Sequence, residues 1–381
     1  MKRILVSSLI SSNRHAWITS KIAEEADYMV RNIFNQCKNS TSTSIVNIRT
    51  TTRHYCANVI KSVIFGKRFF EDVEEEEEHG TALFTILAHI HTLSISDFLP
   101  WIKVFDLDGH RKEVTQALTM VRKYHDPQIK DRIHMWENGL KTEQVDFLDV
   151  LLMLKDEKNG KPMLTIAEIQ DLMIATVDNP SNAVEWALAE MINKPEMLVR
   201  AREELDIIVG KERLVKEFDL PKLNYIKACI REAFRLHPVA PFNVPHASIE
   251  HTTVGGYFIP KGSQILISRL EIGRNPNVWE EPLKFKPERH LKKSASFEVV
   301  LSDPELNLFS FGTGRRGCPG VAMGSTMTIL MMARLLQGFT WTLPPNISKI
   351  ELIESKNDLF LAKPLLACAK PRLPNNVYPK C

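Results

Sequence analysis

The segment 311–320, which reads FGTGRRGCPG, constrains the fold of this chain more than any other stretch. Its glycines allow backbone conformations that other residues rarely adopt, so the chain can turn tightly and direct N–H groups at Cys318. The apolar residues that follow predict a helix, whose positive end would face the sulfur. Because Arg315 and Arg316 add positive charge, we expect this loop to present a thiolate. The alternative is a turn that holds an ordinary buried cysteine.

The composition is that of a globular protein and argues against several other classes. The 381 residues are 44% hydrophobic and 25% charged, and the net charge of +3 gives no reason to expect a nucleic acid as partner. The apolar runs are shorter than the roughly 18 residues of a membrane span, and the first residues lack a signal-peptide pattern. The six cysteines form no CxxC pair, so we expect neither a zinc or iron–sulfur site nor a disulfide framework.

Hydrophobic periodicity predicts a mainly helical protein with small antiparallel β-sheets, folded as one domain over residues 1–381. Apolar and polar residues alternate around Gly-Gly and Pro-Lys-Gly turns, which predicts short antiparallel strands in 252–268, and the tail 357–373 is predicted to form a final hairpin. The acidic run 71–80 is expected to be a solvated loop. Apolar residues at helical spacing predict helices over 24–37, 114–140 and 225–238, and two more between 175 and 210.

The stretch 175–190 has the apolar spacing of a helix, yet Pro180 lies well inside it. An interior proline lacks an N–H donor, clashes with the preceding turn and costs roughly 3 kcal/mol. The carbonyl of Thr176 would lose its donor, and the helix would bend there. Such a penalty is expected where function needs a distorted backbone.

The spacing of Phe311, Gly314, Arg316, Cys318 and Gly320 resembles the haem-binding loop of the cytochrome P450 family, the haem–thiolate monooxygenases. The resemblance implies that the cofactor is haem b (iron protoporphyrin IX) and that Cys318 is the axial ligand of its iron. It also implies that Arg316 binds a haem propionate and that Phe311 shields the sulfur.

Two further stretches resemble the same family and stand in the expected order. Glu232 and Arg235 form an ExxR pair, which places both on one helical face. With Arg289 they would make the family's buried structural network, although an isolated pair of this kind is usually a solvated surface pair. His246 stands where the family usually has a propionate-binding arginine or histidine. The resemblance therefore covers essentially the whole chain and implies the cytochrome P450 fold.

In this family the central helix carries Ala/Gly-Gly-x-Asp/Glu-Thr-Thr/Ser across the distal face of the haem, and residues 175–180 occupy those places. The resemblance therefore assigns catalytic positions to Asp178, Asn179 and Pro180, and Pro180 would open a groove for dioxygen and a water. Asn179 replaces the threonine that helps to protonate bound peroxide, and an amide is a poor proton shuttle. Protons would then come from elsewhere, including Asp178 or the substrate, unless the enzyme activates no oxygen.

The strings at 178–191, 231–246 and 333–341 resemble the plant amino-acid N-monooxygenases, which form aldoximes. The implied reaction is two N-hydroxylations of an α-amino acid of the phenylalanine, tyrosine, tryptophan or branched-chain type, followed by loss of carbon dioxide and water. Dioxygen and electrons from NADPH are implied, delivered by NADPH–cytochrome P450 reductase. A basic face that includes Arg315, Lys292 and Lys293 is the candidate docking surface.

The resemblance also predicts an N-terminally truncated family member. The membrane anchor, first strands and first helices of the family have no counterpart, and Lys2 and Arg3 are what remains near a lost Trp-x-x-x-Arg motif. Intact relatives are expected at the cytosolic face of the endoplasmic reticulum membrane, whereas this chain lacks an anchor. Two alternatives stay open, namely an inactive truncated haem-binding fragment and a haem–thiolate isomerase or dehydratase that needs no dioxygen.

Overall fold

A computed structural model describes residues 12–39, 44–68, 73–90, 92, 94–156, 160–174, 179–291, 298–303, 305–355 and 359–380. These residues are mostly helical, as the periodicity predicted. Short 3₁₀ turns cover Pro100–Phe105, Glu217–Lys222, Pro287–His290, Gly314–Arg316 and Asn375–Val377. The α-helices are α1 (Ser12–Asn39), α2 (Ile48–Phe65), α3 (Val73–Ile90), α4 (Ile95–Phe98), α5 (His110–Glu137), α6 (Phe147–Met153), α7 (Ile166–Ile174), α8 (Asn179–Ile192), α9 (Pro195–Ile208), α10 (Asn224–Leu236), α11 (Arg269–Gly273) and α12 (Val321–Gly338).

Within the described residues the strands form small antiparallel sheets, which confirms the predicted fold class. The strand pair predicted in 252–268 is present, and Gly255 and Gly256 supply the positive φ angles of 58° and 84° that its turn requires. Across the same ranges, none of the helices is both long and apolar enough to span a membrane. The pairings are β1 (Ser44–Asn47) with β7 (Leu366–Pro371), β7 with β6 (Phe339–Thr342), β2 (His246–Ala247) with β5 (Gln264–Ile265), and β3 (Thr252–Val254) with β4 (Tyr257–Ile259).

Helix α8 lies at the centre of the core. It is buried from Ser181 to its end and packs against α2, α10 and α12. The Trp186 ring is fully buried, stacks on His237 with centroids 3.8 Å apart, and its indole N–H donates to the Leu359 carbonyl at 3.0 Å. Burial of a large side chain of this kind contributes at least roughly 1.5–3 kcal/mol, so α8 is held firmly where its first residues reach the site described below.

The acidic run belongs to a helix, so the prediction of a loop in 71–80 is wrong from residue 73 onward. Glu75 and Glu78 are exposed, as expected for solvated charges, but they lie on α3. Glutamate is a good helix former, and Leu83 and Ile86 of the same helix are buried on the side that packs against α5. The run of charged residues therefore predicted the solvent exposure of this segment correctly but its backbone conformation incorrectly.

The predicted C-terminal hairpin is also wrong in its pairing. Strand β7 lies between β1 and β6, with Cys368 opposite both Ile45 and Thr342. In the described part of this region, an isolated antiparallel bridge joins Glu354 and Leu361. Ala367 and Ala369 are buried, as expected for the middle strand of a packed sheet. The prediction failed because pairing with a strand from a distant part of the chain leaves no pattern in the local sequence.

Candidate active site

A cavity of about 350 Å³ lies among α2, α8, α10, α12 and the loop 308–320. Its volume is within the usual range of ligand sites, roughly 300–1,000 Å³. Apolar side chains supply much of its wall, including Ile60, Val63, Leu151, Phe234 and Met323. Predicted site residues from three separate stretches also line it, namely Asn179, Pro180, His246, Phe311, Arg316, Cys318 and Gly320.

The Cys318 loop closes on itself and directs a free thiol into the cavity. The Cys318 N–H donates to the Phe311 carbonyl at 2.8 Å, and Gly312 and Gly314 have φ angles of 66° and 63°, which favour glycine. Gly320 immediately precedes α12, and a Cβ added there would lie 3.8 Å from the Cys318 sulfur. The sulfur is therefore close to the N-terminus of α12.

Phe311 and Arg316 lie in the same loop but differ in their contacts and exposure. The Phe311 ring packs edge-on against Phe234 of α10 with centroids 5.6 Å apart, so its position beside the loop is fixed. Arg316 ends the short turn Gly314–Arg316 and is exposed at the cavity wall. Among the described residues its guanidinium forms no ion pair, so it is available to an anionic ligand.

Glu232, Arg235 and Arg289 form one buried network outside the cavity. Arg235 donates to both carboxylate oxygens of Glu232 at 2.9 and 2.8 Å, and Arg289 Nε donates to Oε1 at 3.0 Å. Arg235 also donates to the Gly273 and Pro282 carbonyls at 2.6 Å each, which ties the end of α11 and the segment after it to α10.

His290 is a fourth member of this network that the sequence did not reveal. Its Nε2 lies 2.8 Å from Oε2 of Glu232. Burial alone would raise the pKa of Glu232, but the hydrogen bonds from Arg235 and His290 outweigh it and lower that pKa from 4.5 to about 2. The carboxylate therefore stays charged in the folded protein at any ordinary pH.

His246 lies on β2 and is oriented by Asn243. The side-chain nitrogen Nδ2 of Asn243 is 2.7 Å from His246 Nδ1. The side-chain oxygen Oδ1 of Asn243 accepts a hydrogen bond from the Ile267 N–H. Because the amide N–H must donate to Nδ1, the ring proton of a neutral His246 is on Nε2. His246 thus presents a donor at the cavity wall.

On α8, Asn179 and Pro180 line the cavity, whereas Asp178 and Thr176 lie outside the described residues. Pro180 is the second residue of α8 as described. The predicted break of the helix around Pro180 depends on residues 175–178 and stays a prediction. Lys2, Arg3, Lys292 and Lys293 are likewise outside the described ranges.

Three polar residues of the cavity wall were missed from the sequence. Asn182 Oδ1, Ser310 Oγ and Arg269 Nε are buried and have no hydrogen-bond partner within the described ranges. Asn182 could have been found, because it follows Asn179 by one helical turn. Arg269 and Ser310 carry no local signal. Unsatisfied buried polar groups are rare in folded proteins and indicate a bound ligand or water.

The residues present fit haem. An apolar wall accommodates a flat porphyrin, a free thiol supplies a soft ligand for iron, and arginine and histidine donors suit its two propionates. The basic side chains of the described wall are Arg316, Arg269, His246 and His237.

Comparisons with known proteins agree with this fit. The family model described as "Cytochrome P450" matches residues 1–369. The chain is 54% identical to isoleucine N-monooxygenase 1 of Lotus japonicus, across 99% of this chain and 72% of that protein. It is 50% identical to the tyrosine N-monooxygenase of Sorghum bicolor and to tryptophan N-monooxygenase 1 of Arabidopsis thaliana, across 100% of this chain and 70% and 71% of those proteins.

The match of the family model extends over nearly the full length of the chain and includes both the Cys318 loop and the Glu232 network. The relatives carry a shared activity name while differing in the amino acid named. The chain belongs to the cytochrome P450 family, whose cofactor is haem b.

Proposed function

We propose that this chain is a haem–thiolate monooxygenase that converts an α-amino acid into an aldoxime through two N-hydroxylations. Each hydroxylation inserts one oxygen atom of dioxygen into an N–H bond, releases the other as water and consumes two electrons from NADPH. Loss of carbon dioxide and water then leaves the C=N–OH group. The observation that carries this proposal is the shared cavity of the free Cys318 thiol and the amide side chains of α8.

Cys318 is proposed as the axial ligand of the haem iron. Bound haem supplies oxygen activation, which thiolate ligation promotes. The protein's own contribution is to hold the sulfur in the cavity, close to the N-terminus of α12 and after the backbone turn at Gly312 and Gly314. Arg316 and His246 would hold propionates, and the Glu232 network would keep the adjoining segments in place.

Asn179 and Asn182 are proposed to orient the substrate nitrogen. They lie one turn apart on α8 and both line the cavity. The buried Asn182 Oδ1 lacks a donor within the described part of the chain, and the amino group of an α-amino acid offers N–H donors. Such a bond would satisfy the acceptor and direct the nitrogen into the cavity. Asn179 would hold water or substrate by hydrogen bonds, and proton delivery is assigned to Asp178 or the substrate.

The proposed substrates are amino acids with apolar side chains. Ile64, Phe147 and Leu172 contribute to the cavity wall together with the apolar residues named above. Such a wall favours a branched-chain or aromatic side chain, and the relatives are named for isoleucine, tyrosine and tryptophan.

Two partners complete the proposal. The first is NADPH–cytochrome P450 reductase, for which exposed Arg315 offers positive charge beside the Cys318 loop. The second is the cytosolic face of the endoplasmic reticulum membrane, which the resemblance assigns to intact relatives of this chain. In support, Trp101, Val104, Phe105 and Leu107 are each more than two-thirds exposed in one segment, and tryptophan favours membrane interfaces.

The test is incubation of the full chain with haem, the reductase, NADPH and each candidate amino acid under ¹⁸O₂. We expect an aldoxime that carries one labelled oxygen and that requires NADPH. Conversion of a substrate without NADPH and without incorporation of label would instead support the isomerase or dehydratase alternative. Absence of product with every amino acid, although haem is bound, would overturn the proposal.

A further inference from the structure

Arg269 is a cation in the cavity wall whose charge is not balanced by a described carboxylate. It is the first residue of α11 and lines the same cavity as Cys318. Its Nε is buried without a hydrogen-bond partner, and no ion pair joins its guanidinium to an acidic side chain across the described ranges. None of the motifs that identified the site includes this residue.

The backbone holds Arg269 beside the strand that carries His246. The Arg269 N–H donates to the Pro241 carbonyl at 2.8 Å, and the Asn243 N–H donates to the Ile267 carbonyl at 3.1 Å. Burial lowers the pKa of Arg269, and the Cys318 sulfur is the described group that opposes this effect. Arg269 therefore lies beside the segment that leads to His246 and lines the same cavity as Cys318.

Arg269 is half-buried and its Nε is fully buried. A cation held in this way without a counter-charge is unfavourable, so its presence calls for an anionic ligand. The planar guanidinium matches a carboxylate, which can accept two parallel hydrogen bonds from it. Two carboxylates could enter this cavity, namely a haem propionate and the α-carboxylate of an amino acid. We propose that Arg269 binds a carboxylate of a molecule that fills the cavity. The amino-acid case rests on the function proposed above, whereas the haem case requires only the family's cofactor.

The first experiment measures thermal unfolding of the ligand-free full chain. R269Q should unfold at the same or a higher temperature than the parent, because the substitution removes an unbalanced buried charge. R111Q is the matched control, because Arg111 is also in the first turn of a helix but is exposed and away from the cavity. A marked fall in the R269Q unfolding temperature, with R111Q unchanged, would assign Arg269 a structural role and overturn the proposal.

The second experiment separates the two carboxylates. For haem, we measure the rate of transfer to excess apomyoglobin from the parent, R269Q and R269K, using haem and its dimethyl ester. For substrate, we measure spectral binding of the amino acid preferred by the parent and of the amine that lacks its carboxylate.

A propionate contact predicts that R269Q loses haem about tenfold faster than the parent, with R269K intermediate and with no difference for the dimethyl ester. A substrate contact predicts that R269Q binds the amino acid about tenfold more weakly but binds the amine unchanged. Either result supports the proposal, and parent-like values in both arms overturn it. Failure of the proposed function is distinct, since the parent itself would then bind haem but form no oxime.

Discussion

The Glu232 network and the Cys318 cavity are both rich in polar groups, but they differ in how those groups are satisfied. Each of the two carboxylate oxygens of Glu232 accepts at least two hydrogen bonds from the protein. Arg235 also donates to three backbone carbonyls. In the cavity wall, polar atoms of Asn182, Arg269 and Ser310 lack partners within the described residues. A self-satisfied cluster holds the fold together, whereas an unsatisfied one marks a place for a ligand.

The largest expected effect belongs to the cavity. C318S should abolish thiolate ligation, because a serine hydroxyl is neither soft nor anionic at neutral pH. We expect loss of oxime formation by several orders of magnitude, and a change in the Soret band of the ferrous carbon monoxide adduct. An unaltered Soret band in C318S would contradict the assignment of this ligand. C229S is the control for thiol loss, because Cys229 is fully buried and away from the cavity.

The next effect belongs to the network. E232Q should lower the free energy of unfolding by about 3–5 kcal/mol, since it leaves the buried Arg235 and Arg289 without their charged partner. The matched control is E281Q, which breaks the exposed pair with Lys284 and should change stability by less than about 1 kcal/mol. Chemical denaturation measures both. Equal effects of the two substitutions would show that the network does not behave as a buried unit.

The pH dependence of stability sharpens the same contrast. The pKa of Glu232 is about 2 in the folded protein and 4.5 ordinarily, so its stabilising contribution is complete above about pH 4.5. It is lost as the pH falls from about 4.5 to about 2, because over that range the unfolded chain takes up a proton at Glu232 whereas the folded chain does not. The difference in unfolding free energy between parent and E232Q should therefore shrink from pH 5 toward pH 2, by on the order of 3 kcal/mol. A difference that stays constant over this range would contradict the lowered pKa.

The smallest effect compares two asparagines. N182L should leave the ligand-free protein equally stable or about 1 kcal/mol more stable, because it removes a buried acceptor without a described donor. N193L should instead destabilise by about 1–3 kcal/mol, because the Asn193 amide donates to the Ile350 carbonyl at 3.0 Å and accepts from its N–H at 2.8 Å. N182L should also weaken amino-acid binding several-fold. If N182L destabilises as much as N193L, Asn182 is structural.

The residues of the loop and of the Glu–Arg pair could be predicted because their signals are local. Glycines at 312 and 314, a few residues before a cysteine that a helix follows, require a tight turn, and the spacing of Glu232 and Arg235 puts them on one helical face. The partners supplied from elsewhere in the chain could not be predicted in this way. His290 next to Glu232 and β1 next to β7 are contacts between distant segments, and Arg269 reaches the cavity of Cys318 from a distant segment as well.

By itself, the sequence determined the helical class, the cysteine loop and the family, because backbone preference and residue spacing act over a few residues. The tertiary structure alone decided which buried polar groups are satisfied, and hence that Asn182 and Arg269 line the same cavity as Cys318. The physical reason is that satisfaction of a hydrogen bond depends on what the rest of the folded chain brings within about 3 Å, which no local pattern contains.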